Sequence, residues 1–229
     1  MIDPRLKRII VLTVFFLIIG MSAFSQKVSN DSISWKNSIY VGGSLSTTGI
    51  GLEVYKRLNN KFEVRLSSSY FPYRYNLHKL SPDLTGTAKI RFGMEGVYVN
   101  YYLKPYLFLS TGMSLNLLKV SVQGQLAEAI EIGDIVLEPD EVGELKLDIV
   151  PSWLLNPYIG GGVILRRDKP FFIGIETGIY FQGKPDVTLN ATGMLTPTAS
   201  KEQELLMEKN IAPIDFWPLL SVHFNYRLN

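Results

Sequence analysis

Strict period-two alternation, sustained over stretches too long for an ordinary soluble strand, constrains this chain most. From Phe171 to Gln182 one face reads Phe171, Ile173, Ile175, Thr177, Ile179 and Phe181. The other reads Phe172, Gly174, Glu176, Gly178, Tyr180 and Gln182. Period two marks a strand. Twelve residues exceed the ~5–6 of a typical soluble strand and meet the ~9–11 that a tilted strand needs to cross a bilayer. The pattern returns at 39–46, 50–55, 62–67, 107–117 and 158–165. It returns again in the last residues, where Val222, Phe224, Tyr226 and Leu228 alternate with Ser221, His223, Asn225 and Arg227. A free edge strand invites aggregation, so this final strand is expected to pair with the first and close a barrel.

Alternation alone does not say which face is enclosed. The apolar faces of these segments carry no Lys, Arg, Asp or Glu, whereas Glu53, Glu63, Arg65, Arg91, Glu95, Glu176 and Arg227 are assigned to the opposite faces. Those polar faces are rich in Gly, Ser and Tyr, which suits a narrow polar interior. Lys, the usual residue of exposed soluble edges, is nearly absent from mid-strand. A Lys or Arg facing lipid at mid-depth costs ~2–4 kcal/mol, and the clean apolar faces respect that penalty. The enclosed charges are expected to form a salt-bridged network filling the lumen, since unpaired burial costs several kcal/mol. Residues 88–103 depart from the rule: Ile90, Phe92 and Met94 share one parity, and Val97, Val99, Tyr101 and Leu103 the other. A β-bulge near Glu95-Gly96 is expected there, because an extra residue switches the faces.

The expected fold is all-β: an eight-stranded antiparallel up-and-down transmembrane β-barrel with a short helix in the last outer loop. The strands fall at about 38–46, 49–57, 61–75, 87–103, 105–121, 149–166, 169–183 and 215–228. Tight joins (58–60, 104–105, 167–169) alternate with long ones (76–86, 122–148, 184–214), as inner turns and outer loops do. Trp153 and Trp217 are expected at the outer rim, and Tyr101, Tyr106, Phe171 and Tyr226 near the inner one, as aromatic belts. The first hairpin turns early, at 46–48, and predicts a low wall with a notch on the outer side. In S-K-E-Q-E-L-L-M-E-K (200–209), Ser200 and Gln203 have the spacing of a helix-starting capping box. The segment 122–148 holds Glu128, Glu131, Asp134, Glu138, Asp140, Glu141, Glu144 and Asp148 against Lys146 alone. A solvated acidic hairpin is expected, without the spacing of a calcium loop.

Arg5, Lys7 and Arg8, the apolar run Ile9–Met21, and the small residues before Gln26 have the order of a secretory signal peptide cleaved before Gln26. The division is therefore 1–25 signal peptide, 26–36 short segment and 37–229 barrel, located in the cell outer membrane. Losing 1–25 removes three of 23 basic residues and one of 21 acidic ones, leaving 20 of each. No basic excess remains for nucleic acid. The chain contains no cysteine, which excludes disulfide and thiolate chemistry. No cofactor or metal is expected.

The stretches STTGIGLEVYKRLNNKFEVRLSSSYF (46–71), NPYIGGGV (156–163), FFIGIETGIYFQGKPDVTLNATG (171–193) and PLLSVHFNYRLN (218–229) give the chain a resemblance to small Gram-negative outer-membrane β-barrel proteins of the OmpA/OmpW-like, eight-stranded kind. The family's terminal aromatic is Leu228 here, followed by Asn229. The resemblance implies a monomer that meets outer-membrane lipids or lipopolysaccharide and engages the barrel assembly machinery through its last strand.

Two functional readings remain open. Tyr70, Phe71, Tyr73 and Tyr75 form an aromatic group at the rim, suited to a small hydrophobic ligand; an envelope or surface-contact role is the plainer option. In the other reading, Ser221 and His223 on one strand face, with Glu176 on the next, resemble the Ser-His-acid set of a lipid A deacylase. There the Ser/His order is reversed, and a rise of ~3.3 Å per residue puts the pair ~6.5–7 Å apart. The balance favours a non-enzymatic barrel, and its eight strands leave no wide aqueous channel.

Overall fold

The computed structural model describes residues 37–132, 135–165 and 170–228. The expected signal peptide, the segment 26–36 and the expected turn 167–169 lie outside the described residues. Eight strands pair in a circle: β1 (Ile39–Ser46), β2 (Gly49–Arg57), β3 (Phe62–Asn76), β4 (Leu84–Lys104), β5 (Leu107–Asn116), β10 (Leu155–Leu165), β11 (Phe171–Phe181) and β13 (Phe216–Arg227). Every neighbouring pair is antiparallel, and the pairing of β13 with β1, from Tyr40 with Arg227 to Ser46 with Ser221, closes the ring. The outward face is apolar: Ile50, Leu52, Leu109, Ile159 and Leu220 are exposed, Leu52 at 74%. The inward face holds Tyr40, Glu53, Arg65, Tyr98, Asn100, Tyr158, Glu176 and His223, all buried. The expected assignment of faces therefore holds around the ring except in the upper half of β4.

Two of the long joins are not loops. β6 (Lys119–Leu126), β9 (Glu144–Pro151) and β12 (Pro185–Ala191) continue one wall of the ring on its long-loop side as an extended sheet in the order β3-β4-β6-β9-β12. The 21-residue β4 serves both parts, pairing with β5 through Met94–Lys104 and with β6 through Leu84–Arg91. A small hairpin of β7 (Ile130–Ile132) and β8 (Ile135–Leu137), then the one-turn helix α1 (Pro139–Val142), cap the tip. The acidic segment is mostly sheet, and Asp148, expected in a solvated hairpin, pairs with Lys119 and accepts from Ser121 Oγ.

β12 ends this sheet, and its margin is blunted within the chain. Pro185 has no N–H. The next two outward N–H groups, of Val187 and Leu189, donate to Glu208 Oε1 at 3.2 Å and Glu204 Oε1 at 2.8 Å on helix α2 (Lys201–Ile211). Four helical residues rise ~6 Å and two strand residues ~6.6 Å, so carboxylates one turn apart match alternate strand amides. Ser200 caps α2 by accepting from the Gln203 N–H, one of the two bonds of the expected capping box.

β4 corrects the expected bulge. Its register with β3 is unbroken from Phe62 with Tyr101 to Asn76 with Thr87; the irregularity in β4 lies at Tyr102–Lys104. Even-numbered residues from Leu84 to Tyr102 face inward. The apolar parity switches because the interior itself changes, from polar around Asn100 to apolar at Met94 and Phe92, where Phe92 meets Trp217 at 5.3 Å. Trp217 is therefore an interior residue and not part of an outer belt. Trp153 is exposed, as are Tyr106, Phe171 and Tyr226 at the other end.

The first hairpin is low, as expected, but sealed. Its turn is tied to β13 by Thr47 N–H to Leu220 O and Thr47 Oγ1 to Pro218 O, and to β3 by Thr48 Oγ1 to Ser69 Oγ at 2.9 Å.

The interior tyrosines need bare backbone to lie against. A β-carbon built on Gly160 or Gly178 falls 2.6 Å from Tyr158 Cζ, and that ring is fixed by neighbours Tyr98 and Tyr180. Gly160→Val is therefore expected to displace Tyr158 and to cost about 1–3 kcal/mol by overpacking. Heat-modifiable gel mobility after refolding in detergent would show a lower transition temperature; an unchanged transition would mean the ring is not held there.

Candidate functional site

The side chains with chemistry converge inside the ring. Arg65 projects from β3 and Glu176 from β11, four strands apart in a ring of eight and so on opposite walls. They meet across the lumen as a two-pronged pair: Arg65 Nη2 donates to Glu176 Oε1 at 2.9 Å and Nη1 to Oε2. Such forked pairs add geometric specificity to their charge. Tyr158 Oη also donates to Glu176 Oε1, at 2.7 Å. Glu176 is fully buried, and the Arg65 guanidinium lies 4.6 Å from the centre of the Tyr98 ring.

His223 on β13 links this pair to a second carboxylate. Its Nδ1 lies 2.7 Å from Glu53 Oε2, and its Nε2 lies 3.1 Å from Glu176 Oε2, within ion-pair distance but without hydrogen-bond alignment. Two ring nitrogens facing carboxylate oxygens is the arrangement of an imidazolium, which carries a proton on each. Glu53 further accepts from Tyr55 Oη at 2.6 Å and Ser67 Oγ at 3.1 Å. With His223 as imidazolium, the layer of Arg65, His223, Glu53 and Glu176 is neutral.

A second layer lies nearer the short turns. Glu63 accepts from Asn100 Nδ2 at 3.0 Å and Tyr102 Oη at 2.9 Å, with Arg57 Nη1 at 3.9 Å. Arg57 stacks over Tyr102 at 4.2 Å and donates to the carbonyls of Asn59 and Asn60. Tyr40, Tyr55, Tyr102, Phe108, Ile164 and Phe172 pack as one buried cluster at this level. Between the charge layer and the first hairpin lies a cavity of about 10 Å³, lined by hydroxyls of Ser44, Ser67, Ser69 and Ser221. It has room for one water.

Of the charges expected inside, Glu53, Glu63, Arg65 and Glu176 form these layers, and Arg227 lies on the inward parity opposite Tyr40. Arg91 and Glu95 do not belong: both have the outward parity of β4, and Glu95 accepts from the outward Ser68 at 3.4 Å. The absent bulge is the reason. The aromatic rim also divides. Tyr70 faces outward with Gly93, while Phe71, Tyr73 and Tyr75 share the inward parity with Phe92, Ile90 and Ala88. The set Ser221, His223 and Glu176 is gathered at one level, but both His223 nitrogens face carboxylates. A serine hydrolase needs one of them for the nucleophile. Arg57 was missed, although its parity with Glu53 and Tyr55 marks it as inward.

Above the ring the extended sheet has one apolar face, continuous with the inward face below. Two rows cross it: Tyr73, Ile90, Val120, Ile149, Val187, and Tyr75, Ala88, Val122, Leu147, Leu189. The Val187 end is covered at 3% exposure, while the Tyr73 end is open at 47%.

Eight antiparallel strands thus close a ring that is apolar outside and holds paired charges inside. Among solved structures the chain is similar to Acinetobacter baumannii CarO2 (15% identity, TM-score 0.57, covering 83% of this chain and 98% of that one) and CarO (14%, 0.54, 83% and 97%). CarO and Ail are outer-membrane β-barrel proteins. Ail of Yersinia pestis, in complex with the heparin analogue sucrose octasulfate, matches at 11% identity and TM-score 0.36, which carries no argument. Identities this low establish the shared fold alone. No protein-family model and no curated protein matches the chain.

Glu176→Gln leaves Arg65 as a buried cation without its counter-charge, and about 3–5 kcal/mol of stability is expected to be lost. Urea-dependent refolding into lipid vesicles measures it. Arg65→Met added to Glu176→Gln removes the lone charge and should recover at least half of the loss.

Proposed function

We propose that this chain is exported by its leader and inserted in the outer membrane as a closed OmpA/OmpW-like barrel, with a binding role and not a conducting or catalytic one. Its apolar exterior supports the membrane reading: contiguous oily surface on this scale is foreign to soluble monomers. The filled lumen supports the absence of a channel, because Arg65 and Glu176 span it and Phe92 meets Trp217 above them. One observation carries the binding reading. The extended sheet holds an apolar face above that seal, open at Phe71 and Tyr73 and walled by Ile90, Val120 and Val122. A small hydrophobic molecule is the ligand class that such a face takes, with aromatic rings supplying area at little entropic cost.

A fluorescent apolar amine such as N-phenyl-1-naphthylamine, titrated into the refolded protein, is expected to saturate. Tyr73→Asp combined with Val122→Asp should weaken binding about tenfold, the effect of losing ~1.4 kcal/mol. Equal binding by the double variant would sink the assignment of the ligand to this face. In planar bilayers the protein should show no stepwise current; discrete openings would contradict the sealed lumen.

A further inference from the structure

The outward face changes character along one row. Register aligns Tyr70 with Gly93, and the Leu117 N–H meets the Gly93 carbonyl. One step further out on the same face stand Pro72, Arg91 and Lys119, and the next row holds Arg74, Lys89 and Ser121. Paired residues, and alternate residues along a strand, share a face. Below the step that face is mainly apolar, with Phe62, Leu66, Val97, Val99, Leu109 and Met113 exposed. Glu95, tied to Ser68, is the acidic exception just beneath it. Above the step, four cations occupy two rows.

Their arrangement is unfavourable in isolation. Arg91 stands directly opposite Lys119, and like charges so placed repel. Lys119 reaches Asp148 at 3.4 Å. Among the described residues, Arg74, Lys89 and Arg91 have no carboxylate within ion-pair distance. A cluster left this way calls for an anion from outside the chain.

We propose that Arg74, Lys89, Arg91 and Lys119 bind the phosphate groups of an outer-leaflet glycolipid. Position selects this source. From the row of Phe62 and Tyr101 to that of Tyr70 and Gly93 the strand advances eight residues, about 26 Å. A tilt of roughly 40° shortens that to ~20 Å, close to the apolar height of a membrane barrel. The first cationic row therefore stands at the headgroup level. Two arginines suit phosphate because the guanidinium fork grips two oxygens together. The four bases lie on adjacent strands and present one concerted surface, while Asp148 on β9 sets its far limit. The proposal rests on the membrane reading, and the two can fail separately.

The full chain is refolded into vesicles, recovered by flotation, and offered diphosphoryl lipid A, the same lipid dephosphorylated, or inorganic phosphate. Native mass spectrometry then reads the retained adducts. Diphosphoryl lipid A should be retained at least tenfold over the dephosphorylated form, a comparison that needs no variant. Arg74→Gln, Lys89→Gln and Arg91→Gln together should bring retention down to the dephosphorylated level, while Lys201→Gln with Lys209→Gln on α2 should leave it unchanged. Equal retention of the two lipids, or full retention by the triple variant, overturns the site. Displacement of the lipid by millimolar inorganic phosphate overturns the lipid assignment. A chain that fails to float with vesicles overturns the membrane reading instead.

Discussion

The forked contact between Arg65 and Glu176 is the constraint around which the interior is arranged. A ring of eight strands leaves a space that side chains must fill, and its outward face is apolar. The polar residues therefore lie within, where each charge needs a partner. A bridge across the full width of the ring answers both demands: it occupies volume and neutralises two charges. Tyr158 and His223 take up remaining contacts of Glu176, and His223 extends the arrangement to Glu53. Glycines at 160 and 178 then follow, since the tyrosine rings need bare backbone to lie on.

Much of this was legible in the sequence, for a definite reason. In a strand, parity alone determines the face, so Glu53, Glu63, Arg65 and Glu176 could be placed inside without knowing a single contact. Partners were another matter. Parity does not say that Arg65 bonds to the opposite wall, which it reaches because a long guanidinium side chain spans a narrow ring. Parity also misled where the interior changed composition. Ile90, Phe92 and Met94 looked like a lipid-facing stretch displaced by a bulge. They are an apolar upper storey of the same interior, and Arg91 and Glu95 consequently lie outside. Trp217 was misplaced through the same assumption that aromatics near a strand end form a belt.

The extended sheet was hidden for a different reason. Its strands β6, β9 and β12 have seven or eight residues each, and they continue β5, β10 and β11 after short breaks. In a linear reading they merge with long polar joins. What identifies them is register: β4 pairs with β5 over Met94–Tyr102 and with β6 over Leu84–Arg91 in the same register. The consequence for function is spatial. Chemistry-bearing residues fill the lumen, and the surfaces left for other molecules are the apolar face above the seal and the cationic rows outside it.

The margin of β12 bears on how such molecules coexist. The outer edge of an extended sheet is a place where one copy could zip onto the next and begin a polymer. Here Pro185 offers nothing to such a zipper, and the Val187 and Leu189 amides are already engaged by Glu208 and Glu204 from the same chain. The blade thus terminates itself, and crowded neighbours can jostle side by side without stitching together.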